Sequence, residues 1–527
     1  MVGALRRTGR GEAMVIGAIA AARAALRPER PDRLPRAMTA AAMWGPTMAG
    51  AVAGATARYP RAAAIADERG GLTYAELWAA SDGVARGLHR QGVGPGTTVG
   101  ILARNHRGFV VSMLAAAKLG ADLVFLNTGF AGPQLADVVA AEGIGTVLHD
   151  DEFAAVVTGC GARLAVGEAE LDGLAARGPR TPMRPVTRRA GRMVILTSGT
   201  TGRPKGAVRS STGGLDSLAP LLSTIPIRAR DTVVVAAPLF HAWGLVHLAT
   251  GLGLSSTIVL ERRFDAQRTV AAIAEHRAAG LAVVPVMLRR MVDLGEAVGD
   301  QYDTSSLRYI ASSGSALGAP LATAVLDRFG PVLYNVYGST EVSLATVAGP
   351  ADLRAAPATA GRPPPGSTVR IVDDAGRAVA PGTTGRVFVA NSSRFDGYTG
   401  GGGKESIGDL LSTGDLGHLD PAGRLFIDGR DDEMIVSGGE NVYPAEVEDA
   451  LVSHPAVAEA AVVGVDDEEF GQRLVAHVVK RPGTKVTAHQ LQDHVRDLLA
   501  RHKVPKRVRF VRQLPRTTTG KVRKQDL

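Results

Sequence analysis

Short apolar runs alternate with amphipathic segments along the first half of the chain. The pattern predicts helices over residues 73–91 and 109–118, and strands over residues 98–102, 121–126 and 145–148. Helices that alternate with buried strands are typical of an α/β domain with a mostly parallel sheet. The sequence therefore predicts an α/β fold for this part of the chain.

Three later strands each run into a loop that is rich in glycine and hydroxyl side chains. The loops span residues 197–206, 312–317 and 337–341. Open α/β sheets bind their ligands beyond the carboxyl ends of the strands. We therefore expect the three loops to share one cleft, although each loop alone is also compatible with an ordinary turn.

An uncharged stretch over residues 243–260 is long enough to resemble a membrane-spanning helix. Two glycines and two serines inside it favour a helix, a turn and a strand over residues 257–260 instead. We expect this stretch to lie in the core of the domain rather than in a bilayer.

The second half of the chain changes character, with short strands and turns over residues 386–426 and a charged break at residues 429–433. A compact α+β segment follows, and we place a domain boundary at Asp432. The predicted fold is a large α/β domain (46–431) with mostly parallel sheets and a β-rich subdomain. A small, mobile α+β domain (432–527) follows it.

The N-terminal residues 1–45 form a basic extension in this prediction. The chain has a net charge of +9, and residues 1–36 hold eight arginines. The helix predicted over residues 14–26 is shorter than the ~20 residues that span a bilayer. It either lies on an anionic membrane surface, giving peripheral contact through residues 1–36, or packs on the main body. No compact aromatic and basic module indicates nucleic-acid binding.

A single cysteine, Cys160, excludes an internal disulfide framework and fits a reducing compartment. We expect a cytoplasmic protein on this basis, with any membrane contact at the inner face.

The loop over residues 197–206 combines glycines and hydroxyls with Lys205. Glycines let backbone N–H groups approach a ligand, and the side chains add donors without negative charge. This composition suits a polyphosphate, and a polar surface loop is the alternative. The spacing is not that of a Walker loop, because Lys205 lies between proline and glycine.

The loop resembles the signature of the adenylate-forming, or AMP-binding, superfamily, and further motifs of that superfamily follow in order over residues 60–525. They are Pro238–His241, Ser313–Ser315, Asn335–Glu341, Gly361–Gly366, Ser412–Asp415, Gly429–Asp432, Ser437–Pro444 and Pro515–Lys521. Residues 127–132 are also similar to the bacterial fatty acid branch, and residues 395–398 resemble the fatty acyl-CoA synthetase branch.

The resemblance implies an ATP site with Mg²⁺ as cofactor. Tyr337 is expected to stack on adenine, Asp415 to bind the ribose with Arg430, and Glu341 to hold Mg²⁺ together with Thr200. Thr340 is expected at the α-phosphate. The ATP-binding residues implied are Thr197, Ser198, Gly199, Thr200, Thr201, Gly202, Lys205, Gly314, Ser315, Asn335, Tyr337, Gly338, Ser339, Asp415 and Arg430.

The resemblance also implies catalytic, acyl-pocket and CoA-binding residues. Lys521 is expected to bridge the substrate carboxylate and the α-phosphate; Thr340, Glu341 and His241 complete the catalytic set. The implied acyl pocket is formed by His241, Gly244, Gly314 and Val336. The implied hinge is Asp432, and the implied CoA channel is formed by Ser437, Gly438 and Gly439.

The function implied is that of an acyl-CoA synthetase, with ATP and CoA as co-substrates and a medium- or long-chain fatty acid as the expected acid. Small residues near the expected pocket favour an alkyl chain. Three alternatives stay open: an aryl-acid–CoA ligase, a fatty acyl-AMP ligase that serves a carrier protein, and a non-catalytic, membrane-associated binding protein.

Overall fold

The structure is a computed structural model, and it describes residues 32–177, 183–187, 189–197, 205–209, 215–295, 301–391, 393, 395–431, 435–437, 440–467, 471–518 and 520–527. Within these ranges, a large domain holds three β-sheets with helices packed on them, and a small α+β domain follows. The α/β fold class predicted from the sequence is confirmed. The mobility of the small domain stays a prediction.

The first sheet has eight strands, and its six central strands pair in parallel. The strand at each edge pairs antiparallel with its neighbour. The strands lie in the order Ser343–Ala348, Leu333–Ser339, Tyr309–Ser312, Gly280–Val283, Thr232–Val235, Thr257–Val259, Ala63–Asp67 and Gly70–Thr73. Two of the hydroxyl-rich loops therefore leave adjacent parallel strands of this sheet.

The second sheet has seven strands, four pairings of which are parallel. They lie in the order Gly397–Tyr398, Lys205–Arg209, Met193–Thr197, Asp122–Phe125, Thr98–Leu102, Thr146–His149 and Leu164–Gly167. The glycine-rich loop connects two antiparallel strands of this sheet, with Thr197 opposite Lys205. The three loops thus come from two sheets rather than from the rim of one.

The third sheet is antiparallel and corresponds to the β-rich subdomain predicted from the sequence. Its strands are Thr368–Val372, Gly385–Ala390, Leu410–Leu419, Ser406–Ile407 and Leu425–Arg430. The pairing of the last strand with Leu410–Leu419 places Arg430 directly opposite Asp415.

Helices cover the sheets of the large domain. Helix Tyr74–Arg90 begins at a capping box in which Thr73 and Glu76 satisfy each other's backbone N–H groups. The remaining helices are Arg33–Trp44, Met48–Arg58, Arg107–Leu119, Gly132–Ala141, Ala154–Val157, Glu168–Ala176, Leu215–Thr224, Ala242–Gly253, Ala266–Glu275, Pro285–Val292, Ala319–Phe329 and Pro350–Ala355.

The uncharged stretch after residue 242 folds as the sequence predicts, into helix Ala242–Gly253, a turn and strand Thr257–Val259. Both elements contribute buried side chains to the main core. Among the described residues, no helix has the length and apolar character needed to cross a membrane.

The N-terminal extension is only partly described, because the helix predicted over residues 14–26 lies outside the described ranges. From Arg33 onward the chain belongs to the large domain. Helix Arg33–Trp44 packs on it through Trp44, which is buried and lies edge-on to Trp78 at 5.2 Å between ring centres. The predicted boundary at residue 45 stays a prediction.

A buried ion pair joins two helices of the large domain. The Nζ atom of Lys118 is fully buried and donates to Asp82 at 2.6 Å, Ser81 Oγ at 2.7 Å and the Trp78 carbonyl at 2.9 Å. Burial lowers the pKa of Lys118 to about 8, and the charge of Asp82 opposes that shift. All three ammonium hydrogens are thereby satisfied.

The small domain has a five-stranded sheet with helices Pro444–Val452 and Ala488–Leu498. Its strands are Glu440–Val442, Ile435–Ser437, Gly471–Lys480, Val457–Asp467 and Arg507–Phe510. It encloses a core of its own. The predicted boundary residue Asp432 lies outside the described ranges, between Arg430, which ends the third sheet, and Ile435.

We predict that Asp82→Ala destabilises the large domain by about 3–5 kcal/mol, because it leaves the Lys118 ammonium buried without its counter-charge. Chemical denaturation measures the change. Asp172→Ala is the matched control: its ion pair with Arg69 is exposed, so its loss is expected to cost less than about 1 kcal/mol. Equal costs for the two variants would contradict this account of Lys118.

Candidate active site

Lys205 and Glu341 both contact Tyr398. The Nζ atom of Lys205, at the end of the glycine-rich loop, lies 5.6 Å from the centre of the Tyr398 ring. The Tyr398 hydroxyl donates to Oε1 of Glu341 at 2.8 Å. The ammonium group of Lys205 and the carboxylate of Glu341, which come from different sheets, thus lie on the same tyrosine side chain.

Glu341 is held from two sides. Besides Tyr398, the hydroxyl of Ser339 donates to its Oε2 at 2.8 Å. The Ser339 oxygen in turn accepts the backbone N–H groups of Glu341 and Val342. The carboxylate is therefore oriented before any ligand arrives, which is the condition for precise binding of a cation.

Tyr398 is a site residue that sequence reasoning missed. The two-residue strand Gly397–Tyr398 pairs with Lys205–Arg209, which brings its hydroxyl to Glu341. The available signal was the Gly-Tyr pair in residues 395–398, which we used only as an indication of the fatty acid branch. Its position depends on a long-range strand pairing that no local pattern shows.

Asp415, Tyr337 and Arg430 form a second group in the cleft. The Tyr337 hydroxyl donates to Asp415 Oδ2 at 2.5 Å, and Arg430 lies 3.6 Å from the other carboxylate oxygen. Burial raises the pKa of Asp415, while Tyr337, Arg430 and Lys521 act in the opposite direction. Burial also raises the pKa of Tyr337, so its hydroxyl stays protonated and remains a donor.

Lys521 reaches this cleft from the small domain. It lies on a short hairpin in which Thr517 N–H donates to the Lys521 carbonyl at 2.7 Å, and Lys521 N–H donates to Thr517 Oγ1 at 3.1 Å. Its charge adds to the effect of burial in lowering the pKa of His241, and it opposes the rise that burial causes in the pKa of Asp415. The ammonium group therefore stands near residues of the first and third sheets at once.

His241 is the N-cap of helix Ala242–Gly253, where its Nδ1 accepts the Trp243 N–H. Desolvation and, to a smaller extent, the charge of Lys521 lower its pKa to about 4. The imidazole is thus neutral at physiological pH. It can line a pocket or accept a hydrogen bond, and it adds no positive charge to the cleft.

Gly244, a predicted pocket residue, lies where its helix packs closely on the preceding turn. A Cβ atom there would lie 2.3 Å from the Pro238 carbonyl oxygen and 2.6 Å from that of Ala237. The missing side chain thus lets the helix approach the preceding turn. Val336 is buried in the main core.

The loop over residues 312–317 and the hairpin that carries Lys521 both approach Val284. Gly314 has a left-handed backbone (φ +98°) that favours glycine, and a Cβ there would lie 3.4 Å from Val284. A Cβ on Gly520 would lie 3.7 Å from the same side chain. The half-buried Ser315 follows Gly314 on that loop.

Two further predicted ATP-binding residues, Asn335 and Gly338, lie in strand Leu333–Ser339, and the predicted catalytic residue Thr340 follows that strand. Asn335 donates through Nδ2 to the Thr359 carbonyl at 3.3 Å, which leaves its oxygen for other partners. Gly338 has no room for a side chain, because a Cβ would lie 1.9 Å from the Ser343 oxygen. Thr340 lies in the turn between Ser339 and Glu341.

Two family models match this chain: that of AMP-binding enzymes over residues 52–399 and that of their C-terminal domain over residues 446–521. The chain belongs to the AMP-binding enzyme family. The two matches fall on the large and the small domain, and Lys521 is the last residue of the second.

Relatives of this AMP-binding enzyme activate different acids. The chain is 34% identical to indoleacetate–CoA ligase of Aromatoleum aromaticum, over 86% of this chain and 92% of that relative. It is 32% identical to the fatty acid–acyl-carrier-protein ligase ScoC of Streptomyces coeruleorubidus, over 89% and 93%. Bacillus subtilis o-succinylbenzoate CoA synthetase, solved with its acyl-adenylate, superposes with a TM-score of 0.80 at 28% identity, over 90% and 97%.

Several predicted site residues of this AMP-binding enzyme lie outside the described ranges. They are Ser198, Gly199, Thr200, Thr201, Gly202, Asp432, Gly438 and Gly439. Two strands frame the first group, since Thr197 ends one strand and Lys205 begins the next. Ser437 is the last residue of strand Ile435–Ser437, directly before Gly438 and Gly439 in the sequence.

Glu341 fits the magnesium ion that the family implies. A carboxylate that already accepts two hydroxyl hydrogen bonds keeps lone pairs for a cation, and Mg²⁺ in nucleotide sites uses one or two carboxylates beside phosphate oxygens. A different cluster, His106, Asp150 and Glu168, lies within metal-binding reach. In that cluster the Arg262 guanidinium pairs with Asp150 and Glu168, so it already supplies the positive charge that a metal ion would bring.

We predict that Tyr398→Phe weakens binding of ATP with magnesium by about 10- to 150-fold, because a hydrogen bond to a charged group contributes roughly 1.5–3 kcal/mol. Binding of AMP should stay unchanged, since AMP lacks the phosphates expected beside Lys205 and Glu341. Calorimetry with each nucleotide measures the difference. Tyr302→Phe is the control at a hydroxyl on the surface. A loss of affinity for both nucleotides would contradict the assignment.

Proposed function

We propose that the protein is an ATP-dependent acid–CoA ligase, which forms acyl-CoA, AMP and pyrophosphate through an acyl-adenylate. The position of Lys521 carries the proposal, because an ammonium group on the small domain stands in a cleft of the large domain beside Asp415 and His241. A carboxylate and ATP repel each other. Preorganised positive charge where they meet offsets that repulsion.

In the first half-reaction, a carboxylate oxygen of the acid attacks the α-phosphorus, and the bond to pyrophosphate breaks. Lys521 bridges the acid and the α-phosphate, and Thr340 donates to the α-phosphate. Thr197, Ser198, Gly199, Thr200, Thr201, Gly202 and Lys205 cradle the departing phosphates. When bound to Glu341 and Thr200, Mg²⁺ supplies charge neutralisation on the phosphates.

The nucleoside is held by the second group of the cleft. Asp415 accepts the ribose hydroxyls and Arg430 orients that carboxylate, since the two residues oppose each other across paired strands. Tyr337 stacks on adenine, and the free oxygen of Asn335 accepts from its amino group. Gly314, Ser315, Gly338 and Ser339 provide close-fitting backbone and donors around the phosphates.

In the second half-reaction, the CoA thiolate attacks the acyl carbonyl and AMP leaves. Lys521 obstructs that approach where it stands, so the small domain must rotate. We propose Asp432 as the hinge and Ser437, Gly438 and Gly439 as the pantetheine channel.

We propose an aromatic acid as the substrate. The relatives named for indoleacetate and o-succinylbenzoate support this choice. The expectation of a fatty acid depended partly on Gly244, whose missing side chain serves backbone packing. His241, Gly244, Gly314 and Val336 remain the proposed pocket residues, with Trp243 held nearby by its bond to the Val283 carbonyl.

A fatty acid is the second candidate. The 32% identity to a fatty acid–acyl-carrier-protein ligase supports it and keeps adenylate transfer to a carrier protein as an alternative second step. Location in the cytoplasm, and peripheral membrane contact through residues 1–36, are further proposals. Sedimentation with anionic liposomes, before and after deletion of residues 1–36, tests the membrane contact.

The function is tested by acid-dependent ATP–pyrophosphate exchange and by formation of the CoA thioester. The acids are indoleacetate, ferulate and benzoate on one side and the fatty acids from butyrate to stearate on the other. We expect thioester formation, fastest with an aromatic acid. Exchange without thioester would favour a carrier-protein ligase, and no exchange with any acid would favour a non-catalytic binding protein.

We predict that Lys521→Ala slows adenylation by about 10²–10³-fold, the usual effect of removing one transition-state donor. Single-turnover formation of the acyl-adenylate measures it. Lys524→Ala is the control, because Lys524 pairs with Glu448 within the small domain. A Lys521→Ala rate close to that of the control would refute the proposed role.

A further inference from the structure

Asn127 makes a contact that the proposed chemistry does not use. Its Oδ1 accepts a hydrogen bond from the Thr518 hydroxyl of the small domain at 2.6 Å, across 391 residues of sequence. The same oxygen accepts the Gly129 N–H at 2.9 Å. Asn127 thus caps its own turn, which orients the side chain toward the small domain.

Thr518 belongs to the hairpin that carries Lys521. The hairpin is internally bonded, with Gly520 N–H donating to the Thr517 carbonyl at 2.9 Å and Arg516 donating to the Gly520 carbonyl at 2.6 Å. Arg516 also pairs with Glu459 in the body of the small domain at 2.8 Å. Because these hydrogen bonds hold the hairpin together, we expect a displacement of Thr518 to displace Lys521 as well.

The hairpin touches the large domain at two separated points. On one side Thr518 contacts Asn127 and Gly129, in the loop after strand Asp122–Phe125 of the second sheet. On the other side Gly520 faces Val286 at the start of helix Pro285–Val292, where a Cβ on Gly520 would lie 2.6 Å from that valine. The two contacts fix the direction in which Lys521 enters the cleft.

The fit at Gly129 is close. A Cβ atom on Gly129 would lie 2.3 Å from Cγ2 of Thr518, while its next neighbour, Asn127 Oδ1, would be 3.4 Å away. Gly129 is exposed and has no positive φ that would itself require glycine. Its missing side chain therefore matters where the small domain docks.

We propose that Asn127 and Gly129 form a docking point for Thr518 that positions Lys521 for the adenylation step and plays no part in the thioester step. The proposal rests on the proposed function. The contact is one hydroxyl hydrogen bond at an exposed rim. It is strong enough to bias the domain arrangement and weak enough to break each cycle, when the lysine leaves and the thiol enters. Asn127 and Gly129 are positioning residues, since they touch the hairpin and not the reacting atoms.

The test separates the two half-reactions in the full-length protein. In Gly129→Ala the new methyl group meets Cγ2 of Thr518 only when the hairpin is docked. We expect adenylation, measured as acid-dependent ATP–pyrophosphate exchange, to fall by at least about tenfold. Thioester formation from supplied acyl-adenylate and CoA should stay within about twofold of the wild type.

Two substitutions at Thr518 separate the contribution of its hydroxyl group from that of its methyl group. Thr518→Val keeps the methyl and removes the hydroxyl, so adenylation should fall by about three- to tenfold. Thr518→Ser keeps the hydroxyl and removes Cγ2, so it should be close to wild type. The double variant Gly129→Ala with Thr518→Ser should regain most of the lost rate, because the colliding atom is gone.

The proposal is overturned if Gly129→Ala slows both half-reactions equally or neither, or if Thr518→Ser does not restore adenylation. Failure of the proposed function looks different, because the wild-type protein itself would then show no acid-dependent exchange. Thermal unfolding of each variant identifies any loss of folding, and rescue by Thr518→Ser excludes misfolding as the cause of the Gly129→Ala defect.

Discussion

The site depends on one electrostatic arrangement: an ammonium group carried by one domain acts on residues of another. The charge of Lys521 helps to lower the pKa of His241 and opposes the rise that burial causes in the pKa of Asp415, so it acts on two sides of the cleft. Glu341 and Asp415 are carboxylates and His241 is a neutral imidazole. Lys521 and Lys205 therefore provide positive charge that can attract a phosphate. Under the proposed rotation of the small domain, placing one of them on a separate domain makes the charge removable, which a residue of the large domain does not allow.

The surrounding fold serves to bring parts of two sheets to this point. Glu341 follows a strand of the first sheet, and Lys205 begins a strand of the second. Tyr398 joins them by pairing with the second sheet and bonding to Glu341. Asp415 and Arg430 come from paired strands of the third. Each group thus has its geometry set by strand register rather than by a loop alone.

Much of this was predictable because local patterns determine local structure. Alternating apolar runs located the strands around residues 98–102 and 121–126. Glycines and serines correctly divided residues 243–260 into a helix and a strand. The chemistry of the glycine-rich loop and the ordered motifs led to the AMP-binding family, which the family models confirm.

The remainder depends on contacts between distant segments. Tyr398, Asn127 and the close approach at Gly244 are each defined by a partner elsewhere in the fold, and the periodicity around them contains no information about that partner. The division of the three loops between two sheets was missed for the same reason, since strand order cannot be read from a strand's own residues. Gly244 illustrates the ambiguity. A small residue near a predicted pocket can be required for close backbone packing and need not indicate room for a ligand.

The hydrogen bond from Tyr337 to Asp415 has a consequence for how a nucleoside enters. The carboxylate is buried enough for its pKa to rise, yet the phenol already provides the kind of O–H donor that a sugar diol would offer. In the proposed nucleoside site, a ribose that reaches Asp415 therefore exchanges one hydroxyl donor for another, and the carboxylate keeps a hydrogen-bond donor between turnovers.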